Sequence, residues 1–571
     1  MKKGLGILII VAVVAAAPIA AIGRTRPNIV FILTDDLGFG DVGFTCNERT
    51  NVLARLRTPC LDRLANEGVV LTAHYAAAPV SAPSRASLIT GRVQGCCSLR
   101  DNCFDRAFSE TNTLASVLHG AGYATWAVGK WGVAGGGESG ESVSSHPLDR
   151  GFDYFYGFLD HMAGHTYYHY EGHIRKAFMG ITENRTNATA SAKGIYSTDL
   201  FVAKAKQLVA RHAAENGDTP FFLYLAMNTI HGSGQSDDTL TTKHPLHIPG
   251  RPYPTEGVKW PLEPEPLAAR NTWIDPAYRD LPENAARYAT AITRLDNALA
   301  DFMDELKRLG LDNDTMIVFT SDNGPADEYG ADPRFFGSNG PFDGLKRDVF
   351  EGGMRVPTFV RWPARISGGW KDDSPSQFHD WMATLADVAG TIAPQESEGV
   401  SLFLRWDKLR NAKTFKPSLI YSQYEFPWGG GTEAFREFEA RKAPVRGLQQ
   451  MLRVGDYVAL RTRIREGEAD KHRRRDAGSP SYHDGADKRS DWESRHLGGA
   501  GKYRRRDAGS PSYPGGDDKR SDWESRHLGG AKVRLYNVVE DPFQENDLSG
   551  LAEQQERLRT MERILEERLR K

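Results

Sequence analysis

From Arg24 to about residue 395, short apolar runs alternate with amphipathic helical stretches. This alternation predicts an α/β fold in which a mostly parallel sheet is covered by helices. The run Asn28–Thr34 is continuously apolar, as expected of a strand that is buried on both faces. Further buried strands are predicted at 123–128, 221–226 and 316–320. A helix-covered parallel sheet is therefore the predicted core of the chain.

A long amphipathic helix is predicted between the last two of these strands. Its apolar side chains recur at steps of three and four, and Gly310 follows as a stop signal: Tyr288, Ile292, Leu295, Leu299, Phe302 and Leu306. Another helix is predicted to begin at Thr58-Pro59, where a hydroxyl and a proline suit the first turn, and to end at Gly68. Helices of this kind would cover the sheet.

The pattern changes at about residue 396. Apolar runs at 418–424 and 451–460 indicate antiparallel strands, and 551–569 predicts a closing helix. We therefore expect an α/β domain at 24–395 and a smaller α+β domain at 396–571.

A duplicated segment interrupts the predicted C-terminal domain. RRRDAGSPSY at 473–482 recurs at 504–513, and the longer copies 473–500 and 504–531 differ only at positions 483, 484 and 486. Few apolar residues and much Arg, Asp, Ser and Gly predict an exposed, poorly ordered insertion at 473–531. A binding arm that carries the two arginine triplets is the alternative. Nearly balanced charges within each copy favour the insertion.

Residues 1–23 are predicted to be a secretory signal peptide. Lys2 and Lys3 precede an apolar run at 5–22, and small residues, Ala21 and Gly23, stand before the predicted cleavage point. An uncleaved anchor is the alternative, since about 18 apolar residues can just span a bilayer. The small-residue ending favours cleavage. We therefore expect an exported protein, secreted or periplasmic, with no stable membrane anchor.

Charge and cysteine content exclude other classes. The chain has 72 Lys and Arg against 74 Asp and Glu, a formal charge of −2, so there is no electrostatic reason to expect a nucleic-acid partner. Five cysteines in 571 residues do not make a disulfide scaffold.

Polar side chains follow each predicted strand: Asp35-Asp36, Lys130, His231 and Asp322-Asn323. In an open parallel sheet these carboxyl ends line the ligand crevice. Asp35, Asp36, Asp322 and Asn323 supply only oxygen donors, which suit Ca²⁺ or Mg²⁺ better than Zn²⁺ because no Cys or clustered His joins them. Each pair taken singly is more typical of a turn or a cap. The four together favour a metal site, because a cation would neutralise closely packed carboxylates.

The segment Ser81-Ala82-Pro83-Ser84-Arg85 precedes a short predicted helix at 86–90, which Gly91-Arg92 ends. Pro83 suits a first helical turn, so Ser81 would lie at the anion-favouring N-terminal end. These five residues alone favour a helix-capping serine.

Ser81-x-Pro83-Ser84-Arg85 with Thr90-Gly91-Arg92 resembles the signature of the type I sulfatases, whose first position is a Cys or Ser that is oxidised to formylglycine. The resemblance continues in the family's order through most of the chain, in PNIVFILTDD at 27–36, GYATWAVGKWG at 122–132, GFDYFYG at 151–157, PFFLYLAMNTIHG at 220–232, TSDNG at 320–324, GLKRDVFEGGMRVP at 344–357 and LYNVVEDP at 535–542. It implies the alkaline-phosphatase-like α/β sandwich with a small C-terminal domain.

The resemblance also implies a site and a reaction. A maturase would convert Ser81 to formylglycine, whose hydrate attacks the sulfur of a sulfated small molecule or glycan. One Ca²⁺ ion would be held by the modified Ser81 together with the four oxygen donors Asp35, Asp36, Asp322 and Asn323. The remaining implied roles are anchoring of the modified residue by Arg85, neutralisation of sulfate oxygens by Lys130 and Lys346, and protonation of the leaving group by His231.

One position departs from the family's usual pattern. GKWH is the common form, whereas this chain has Gly132 after Trp131. We hypothesise that His165, or less readily His161, replaces the missing histidine, because both follow the GFD motif that leads back toward the site in the family. An exposed histidine in a His-rich loop is the alternative for His165.

Two other functions remain open from the sequence. Unmodified Ser81 would give a sulfate-ester-binding pseudo-enzyme or a weak phosphatase, since a metal-bound serine alkoxide can attack phosphorus. An extracellular adhesion module built around the repeat is disfavoured because the site residues are nearly complete. Loops at 161–173 and 271–279 are rich in aromatic and polar side chains, and we expect them to select the substrate.

Overall fold

The structure is a computed structural model that describes residues 26–45, 56–102, 106–135, 143–165, 167, 180–192, 195–232, 274–327, 331–407, 415–425, 446–464 and 533–569. The predicted signal peptide at 1–23 and the duplicated insertion at 473–531 lie outside the described residues. So do 168–173 and 271–273 of the two predicted substrate loops.

A ten-stranded sheet forms the centre of the molecule. Its five middle strands are parallel, in the spatial order β9, β1, β8, β4, β5, with bounds β1 (Asn28–Thr34), β4 (Ala124–Lys130), β5 (Tyr154–Phe158), β8 (Phe221–Ala226) and β9 (Thr315–Ser321). The outer strands are β2 (Val69–Leu71), β10 (Phe359–Arg361) and β11 (Trp370–Asp372) on one side and β6 (Thr182–Glu183) and β7 (Thr186–Asn187) on the other. A separate pair is formed by β3 (His74–Tyr75) and β12 (Ser376–Gln377).

Helices cover both faces of this sheet. In chain order they are α1 (Pro59–Asn66), α2 (Ser81–Thr90), α3 (Leu114–Gly120), α4 (Ser197–Glu215), α5 (Glu283–Arg308), α6 (Pro333–Phe336), α7 (Glu351–Met354), α8 (Asp380–Val388) and α9 (Phe403–Trp406). Val30 and Ile32 of β1 pack with α1, α4 and α5, whereas Phe31 and Leu33 pack with α2, α3 and α8. Alternate side chains of this fully buried strand therefore pack against helices on opposite faces of the sheet, which confirms the predicted sandwich.

The predicted elements agree with the structure in type and differ at their ends. β1 has the predicted bounds, and the predicted 288–306 stripe lies on the buried face of α5. The helix predicted at 86–90 instead begins at Ser81, and Pro83 is its third residue, within the first turn as predicted. Proline is tolerated throughout the first turn, where its missing N–H has no intrahelical acceptor.

A second, antiparallel sheet lies in the C-terminal part. Its strands follow one another in order and are β13 (Ile420–Glu425), β14 (Arg446–Val454), β15 (Tyr457–Ile464) and β16 (Val533–Asn537). The predicted single run at 451–460 is a hairpin, because the chain turns at Gly455, whose φ of 59° is easily adopted by glycine. The closing helix is α10 (Gln555–Leu569), which packs through Met561 and Leu565 on one face of this sheet.

The other face of the C-terminal sheet packs against the part of the chain that contains the ten-stranded sheet. Met451 and Leu460 join Tyr75 and Phe350 in one buried apolar cluster. Polar contacts cross the same boundary: the guanidinium of Arg453 donates to the hydroxyl of Tyr75, which donates to the Glu351 carboxylate at 2.8 Å. The two sheets therefore share a core.

Among the described helices, none combines the length and the apolar composition needed to cross a lipid bilayer.

Candidate active site

The pairing of parallel strands brings the predicted oxygen donors together. Thr34, the last residue of β1, pairs with Ser321, the last residue of β9, so Asp35 and Asp322 leave the sheet side by side. The amide of Asp322 donates to the carbonyl of Thr34 at 3.1 Å. Both carboxylates are fully buried. The common edge of two strands therefore places both groups, as the sequence predicted.

Asp36 and Asn323 complete this group of oxygen donors. The Asn323 side-chain amide donates to Asp36 Oδ1 at 2.8 Å and to the carbonyl of Gly324 at 2.9 Å. Asp36 has a φ of 62°, an uncommon conformation for a residue with a side chain, and its amide donates to Asp322 Oδ1 at 3.2 Å. Because Nδ2 of Asn323 donates to these two acceptors, its Oδ1 points away from Asp36 and Gly324.

Ser81 lies where the freed oxygen of Asn323 points. Its hydroxyl is 3.2 Å from Asp35 Oδ1 and 3.4 Å from Asn323 Oδ1. The N-cap of α2 is Val80, and no side chain caps this helix, so the capping-serine interpretation is wrong. Ser81 is buried at the first residue of α2 with its hydroxyl among the oxygen donors.

Arg85 lies one turn further along α2 and is also fully buried. Its Nη2 is 2.8 Å from Asp322 Oδ2 and 3.4 Å from Asp35 Oδ2, and its Nη1 donates to the carbonyl of Lys130 at 3.2 Å. The guanidinium therefore ties α2 to the ends of three strands.

Two lysines supply further positive charge. Lys130, the last residue of β4, places Nζ 2.5 Å from Asp35 Oδ2, and Lys346 places Nζ 2.8 Å from Asp36 Oδ2. Burial opposes the charged form of Asp35, but Lys130, Arg85 and Lys346 outweigh it and hold its pKa below the usual value. Burial and the neighbouring Asp35 charge instead raise the pKa of Asp322. The site thus brings together three buried cationic side chains and three buried carboxyl groups.

Three histidines lie beside these charges. His231 follows β8, its Nδ1 is 2.7 Å from the carbonyl oxygen of Gly232, and its Nε2 is 3.3 Å from Lys346 Nζ and 3.8 Å from Asp36 Oδ2. The Nε2 atoms of His161 and His165 are 3.2 Å apart. The ring of His165 is centred 4.5 Å from that of His231. The sequence argument that no clustered histidine joins the oxygen donors is therefore wrong, since residues 66 positions apart could not be recognised as neighbours.

Charge at the site acts on these histidines. Burial, followed by the nearby ammonium groups of Lys346 and Lys130, holds the pKa of His231 well below its usual value. Burial and the Lys130 charge lower the pKa of His161 in the same way.

Gly132 has a structural reason to lack a side chain. Its φ is 71°, and a Cβ there would lie 3.3 Å from Cε of Lys130. Gly164, just before His165, also packs on Lys130, since its own Cβ would lie 3.3 Å from Cδ and Cε of that side chain. The turn at 162–165 therefore covers Lys130 and carries His165 toward the site.

Sequence reasoning missed Tyr167 and Asn228. The buried hydroxyl of Tyr167 is 3.0 Å from the carbonyl oxygen of His231, and Nδ2 of Asn228 donates to the carbonyl of Gly164 at 3.3 Å. No periodicity marks either residue, although Tyr167 stands two places after His165 and Asn228 three before His231.

The donor set fits a hard divalent cation. Asp35, Asp36, Asp322 and Asn323 offer carboxylate and amide oxygens, and Asp35 Oδ1 and Asn323 Oδ1 converge on the hydroxyl of Ser81. These residues are the ones that could hold such an ion.

Comparison with known proteins gives one consistent result. A family model described as Sulfatase matches residues 27–391. The chain is 31% identical to steryl-sulfatase of Homo sapiens over 65% of this chain and 68% of the relative. It is 31% identical to arylsulfatase J of Mus musculus, over 64% of this chain and about half (53%) of that relative. It is 28% identical to N-acetylgalactosamine-6-sulfatase of Mus musculus, over 72% of this chain and 71% of that relative.

Solved structures agree in fold. The structure of Ps i-CgsB in complex with k-i-k-neocarrahexaose superposes with a TM-score of 0.61 at 22% identity, covering 94% of this chain and 92% of the other. A complex with the substrate D-glucosamine-2-N,6-O-disulfate gives a TM-score of 0.58 at 20% identity, covering 95% and 97%.

Proposed function

Because the chain belongs to the sulfatase family and is thus a sulfuric ester hydrolase, we propose that it cleaves aryl or carbohydrate sulfate monoesters through a formylglycine made from Ser81. One observation carries this proposal. The buried hydroxyl of Ser81 lies within 3.4 Å of both Asp35 Oδ1 and Asn323 Oδ1, although nothing in helix capping requires it there.

Calcium is the ion that we propose for the oxygen donors. Asp35, Asp36, Asp322 and Asn323 would hold it, together with the modified residue 81. The ion would polarise the sulfate and favour ionisation of the attacking hydroxyl, and the aldehyde hydrate would supply that hydroxyl. Arg85 keeps Asp35 and Asp322 in place and limits their repulsion, since it contacts both.

Lys130 and Lys346 are placed to bind sulfate oxygens. Their ammonium groups lie at the edge of the oxygen donors, each paired with one carboxylate. As sulfuryl transfer proceeds, negative charge grows on the oxygens, and preorganised cations stabilise it without reorganisation.

His231 is the proposed proton donor to the leaving oxygen. Its Nδ1 is 2.7 Å from the carbonyl oxygen of Gly232, so Nδ1 carries a proton and Nε2 is the atom that exchanges one. An anionic substrate between Lys130 and Lys346 would offset the two charges that depress the pKa of His231. His165, adjacent to His231, is proposed to assist the nucleophile in place of the histidine missing at Gly132.

The substrate class follows from the relatives and from the rim. The relatives are named for steryl sulfate and N-acetylgalactosamine 6-sulfate, and a solved neighbour holds a disulfated glucosamine. We propose that the loops at 161–173 and 271–279 choose among such esters. We also propose that residues 1–23 direct export, which would give access to extracellular sulfated material.

Peptide mass spectrometry across Ser81, on protein from its native host, tests the proposal. Conversion of the alcohol to an aldehyde removes two hydrogens, a loss of about 2 Da. We expect this loss together with sulfate release from aryl or glycan sulfates, and neither in the Ser81→Ala variant. A wholly unmodified Ser81 would overturn the formylglycine mechanism and favour a sulfate-ester binder or a weak phosphatase.

A further inference from the structure

We propose that His161, His165 and His231 form a second metal site, which takes a divalent transition-metal ion of the zinc class and inhibits the enzyme when filled. The binding site stands independently of the proposed function, whereas the inhibition rests on it.

The spacing of the three rings suits such an ion. The ligand nitrogens of all three residues lie within 4.8 Å of one another. Two imidazole nitrogens bound to zinc at about 2.0–2.1 Å in tetrahedral geometry are roughly 3.3 Å apart. Nε2 of His161 and Nε2 of His165 are 3.2 Å apart. These two nitrogens already have the separation that a shared ion requires.

The third ligand is oriented by its own backbone. Metal-binding histidines commonly donate their second ring N–H to a carbonyl or carboxylate, which fixes the tautomer and aims the other nitrogen at the metal. Nδ1 of His231 has such a partner at 2.7 Å in the carbonyl of Gly232. The carbonyl of His231 is itself held by the hydroxyl of Tyr167 at 3.0 Å. Nε2 is thereby the ring nitrogen of His231 that is available as a ligand, and the ring is centred 4.5 Å from that of His165 and 5.9 Å from that of His161.

Ligand chemistry separates this site from the neighbouring oxygen donors. Imidazole nitrogen suits Zn²⁺, Cu²⁺, Ni²⁺ and Co²⁺, whereas carboxylate and amide oxygens suit Ca²⁺ and Mg²⁺. The three proposed ligands are all imidazoles, although His231 also lies within 4.8 Å of carboxylate oxygens of Asp35 and Asp36, and three ligands leave a fourth position open to water or an anion. A calcium-loaded protein should therefore still bind one zinc-class ion here.

Lys346 limits the affinity of the site. Its ammonium lies 3.3 Å from His231 Nε2, the same lone pair that the ion needs, and it also pairs with Asp36 at 2.8 Å. An ion can take the lone pair while Lys346 keeps its carboxylate. Because the ion would then occupy the atom proposed to donate the proton, sulfate release should fall as the site fills.

The experiment titrates Co²⁺ and Zn²⁺ into the full-length protein at saturating Ca²⁺. The visible absorption of Co²⁺ reports its coordination, and equilibrium dialysis counts Zn²⁺. Since the chain has 16 histidines, the readout is the difference between variants. We expect His161→Gln to lose one ion and the Co²⁺ band, with at least tenfold weaker binding at this site. His119→Gln, at an exposed histidine in the last turn of α3 that pairs with Asp153, is the matched control and should behave as wild type.

Further variants keep the outcome decisive. His165→Gln should repeat the loss, and Lys346→Met should bind Co²⁺ more tightly although its turnover falls. Far-ultraviolet circular dichroism confirms that each variant is folded. Equal Co²⁺ and Zn²⁺ binding by wild type and both folded histidine variants would overturn the site. Binding that depends on His161 in a protein without sulfatase activity would uphold the site and reject the proposed function instead.

Discussion

The phenolic hydroxyl of Tyr167 is 3.0 Å from the main-chain carbonyl oxygen of His231. It is also 3.2 Å from the carbonyl oxygen of Asn228. The hydroxyl therefore donates its hydrogen bond to the loop that carries His231, the proposed proton donor. Burial, followed by the neighbouring Tyr196, raises the pKa of Tyr167 well above its usual value and keeps it a neutral donor. The ring stacks on Tyr196 with centroids 4.9 Å apart. Two histidine-bearing segments are thereby tied together.

Tyr167→Phe should lower kcat about fivefold and change KM little. The substitution keeps the stacked ring but removes a buried hydrogen bond, whose net value of about 1 kcal/mol corresponds to that factor. Steady-state kinetics with an aryl sulfate measures the change. Tyr196→Phe removes the hydroxyl from the other ring of the same stack and should stay within about twofold of wild type. An unchanged kcat in Tyr167→Phe would show that Tyr167 acts through packing alone.

His165→Ala should reduce turnover by about 100-fold if this residue replaces the histidine missing at Gly132. The structure places its ring 4.5 Å from that of His231. The pH dependence of kcat is the informative measurement, because loss of an acid–base group removes one limb of the profile. Turnover within about threefold of wild type would reject the role.

Arg85→Lys should destabilise the fold by about 2–3 kcal/mol despite keeping the charge, because an ammonium cannot reproduce the contacts of a guanidinium with Asp322, Asp35 and the Lys130 carbonyl. Chemical denaturation measures the loss. Arg334→Lys is the matched control, since Arg334 contacts both carboxylate oxygens of Asp332, through Nε at 3.0 Å and Nη2 at 3.2 Å, but both side chains are about half exposed. We expect a loss below about 1 kcal/mol there. Similar losses would contradict a special role for the buried cluster.

Calcium should raise the melting temperature, and removing it with a chelator should lower it, because an ion that binds only the native state stabilises that state. Asn323→Ala removes one proposed ligand and should abolish most of the shift. Asp149→Asn, at an exposed carboxylate that pairs with Arg185, should leave the shift unchanged. A calcium response that survives in Asn323→Ala would place the ion elsewhere.

Stability should fall in acid because of His74. Its Nε2 accepts from the indole N–H of Trp381 at 3.1 Å, and burial, followed by the charges of His379 and Arg405, lowers its pKa to about 3. Below about pH 6.5 the imidazole of His74 is protonated in the unfolded chain but stays neutral in the folded chain. The free energy of unfolding therefore decreases as the pH falls from about 6.5 toward 3. At pH 5 the loss is about 2 kcal/mol.

The His74 effect is measured as the difference in unfolding free energy between pH 7 and pH 5. His74→Gln should remove about 2 kcal/mol of that difference. Ser376→Ala deletes the hydroxyl 2.8 Å from Nδ1 of His74 but no titratable group, so it should keep the full difference. An unchanged pH dependence in His74→Gln would contradict this assignment.

Much of the site could be predicted because it follows strand ends. Asp35 and Lys130 belong to runs of apolar residues whose type and direction are local properties, and parallel pairing then brings their ends together. Ser81 needed more than local pattern. Its five-residue segment is compatible with a cap, and only the position of α2 against β1 and β9 reveals that its hydroxyl meets Asp35.

The remaining features depend on distant packing. His161 and His231 approach because Gly164 packs on Lys130 and Asn228 bonds to the carbonyl of Gly164. These two contacts join residues that are 34 and 64 positions apart in the chain, and they have no periodic signature. The split of the 451–460 run into two strands has a local signal in Gly455. Apolar residues on both sides of that glycine made the segment resemble one strand.

The two sheets share a core, so the region that matches the family model is shorter than the region that packs as one unit. The family match ends at residue 391, whereas Tyr75 and Phe350 are covered by Met451, Leu460 and their neighbours. A chain cut at that limit would retain every proposed catalytic residue and yet expose this apolar face, and the Tyr75–Glu351 pair would lose its contact with Arg453. The strands that follow the matched region are therefore needed to complete the core on which the proposed site rests.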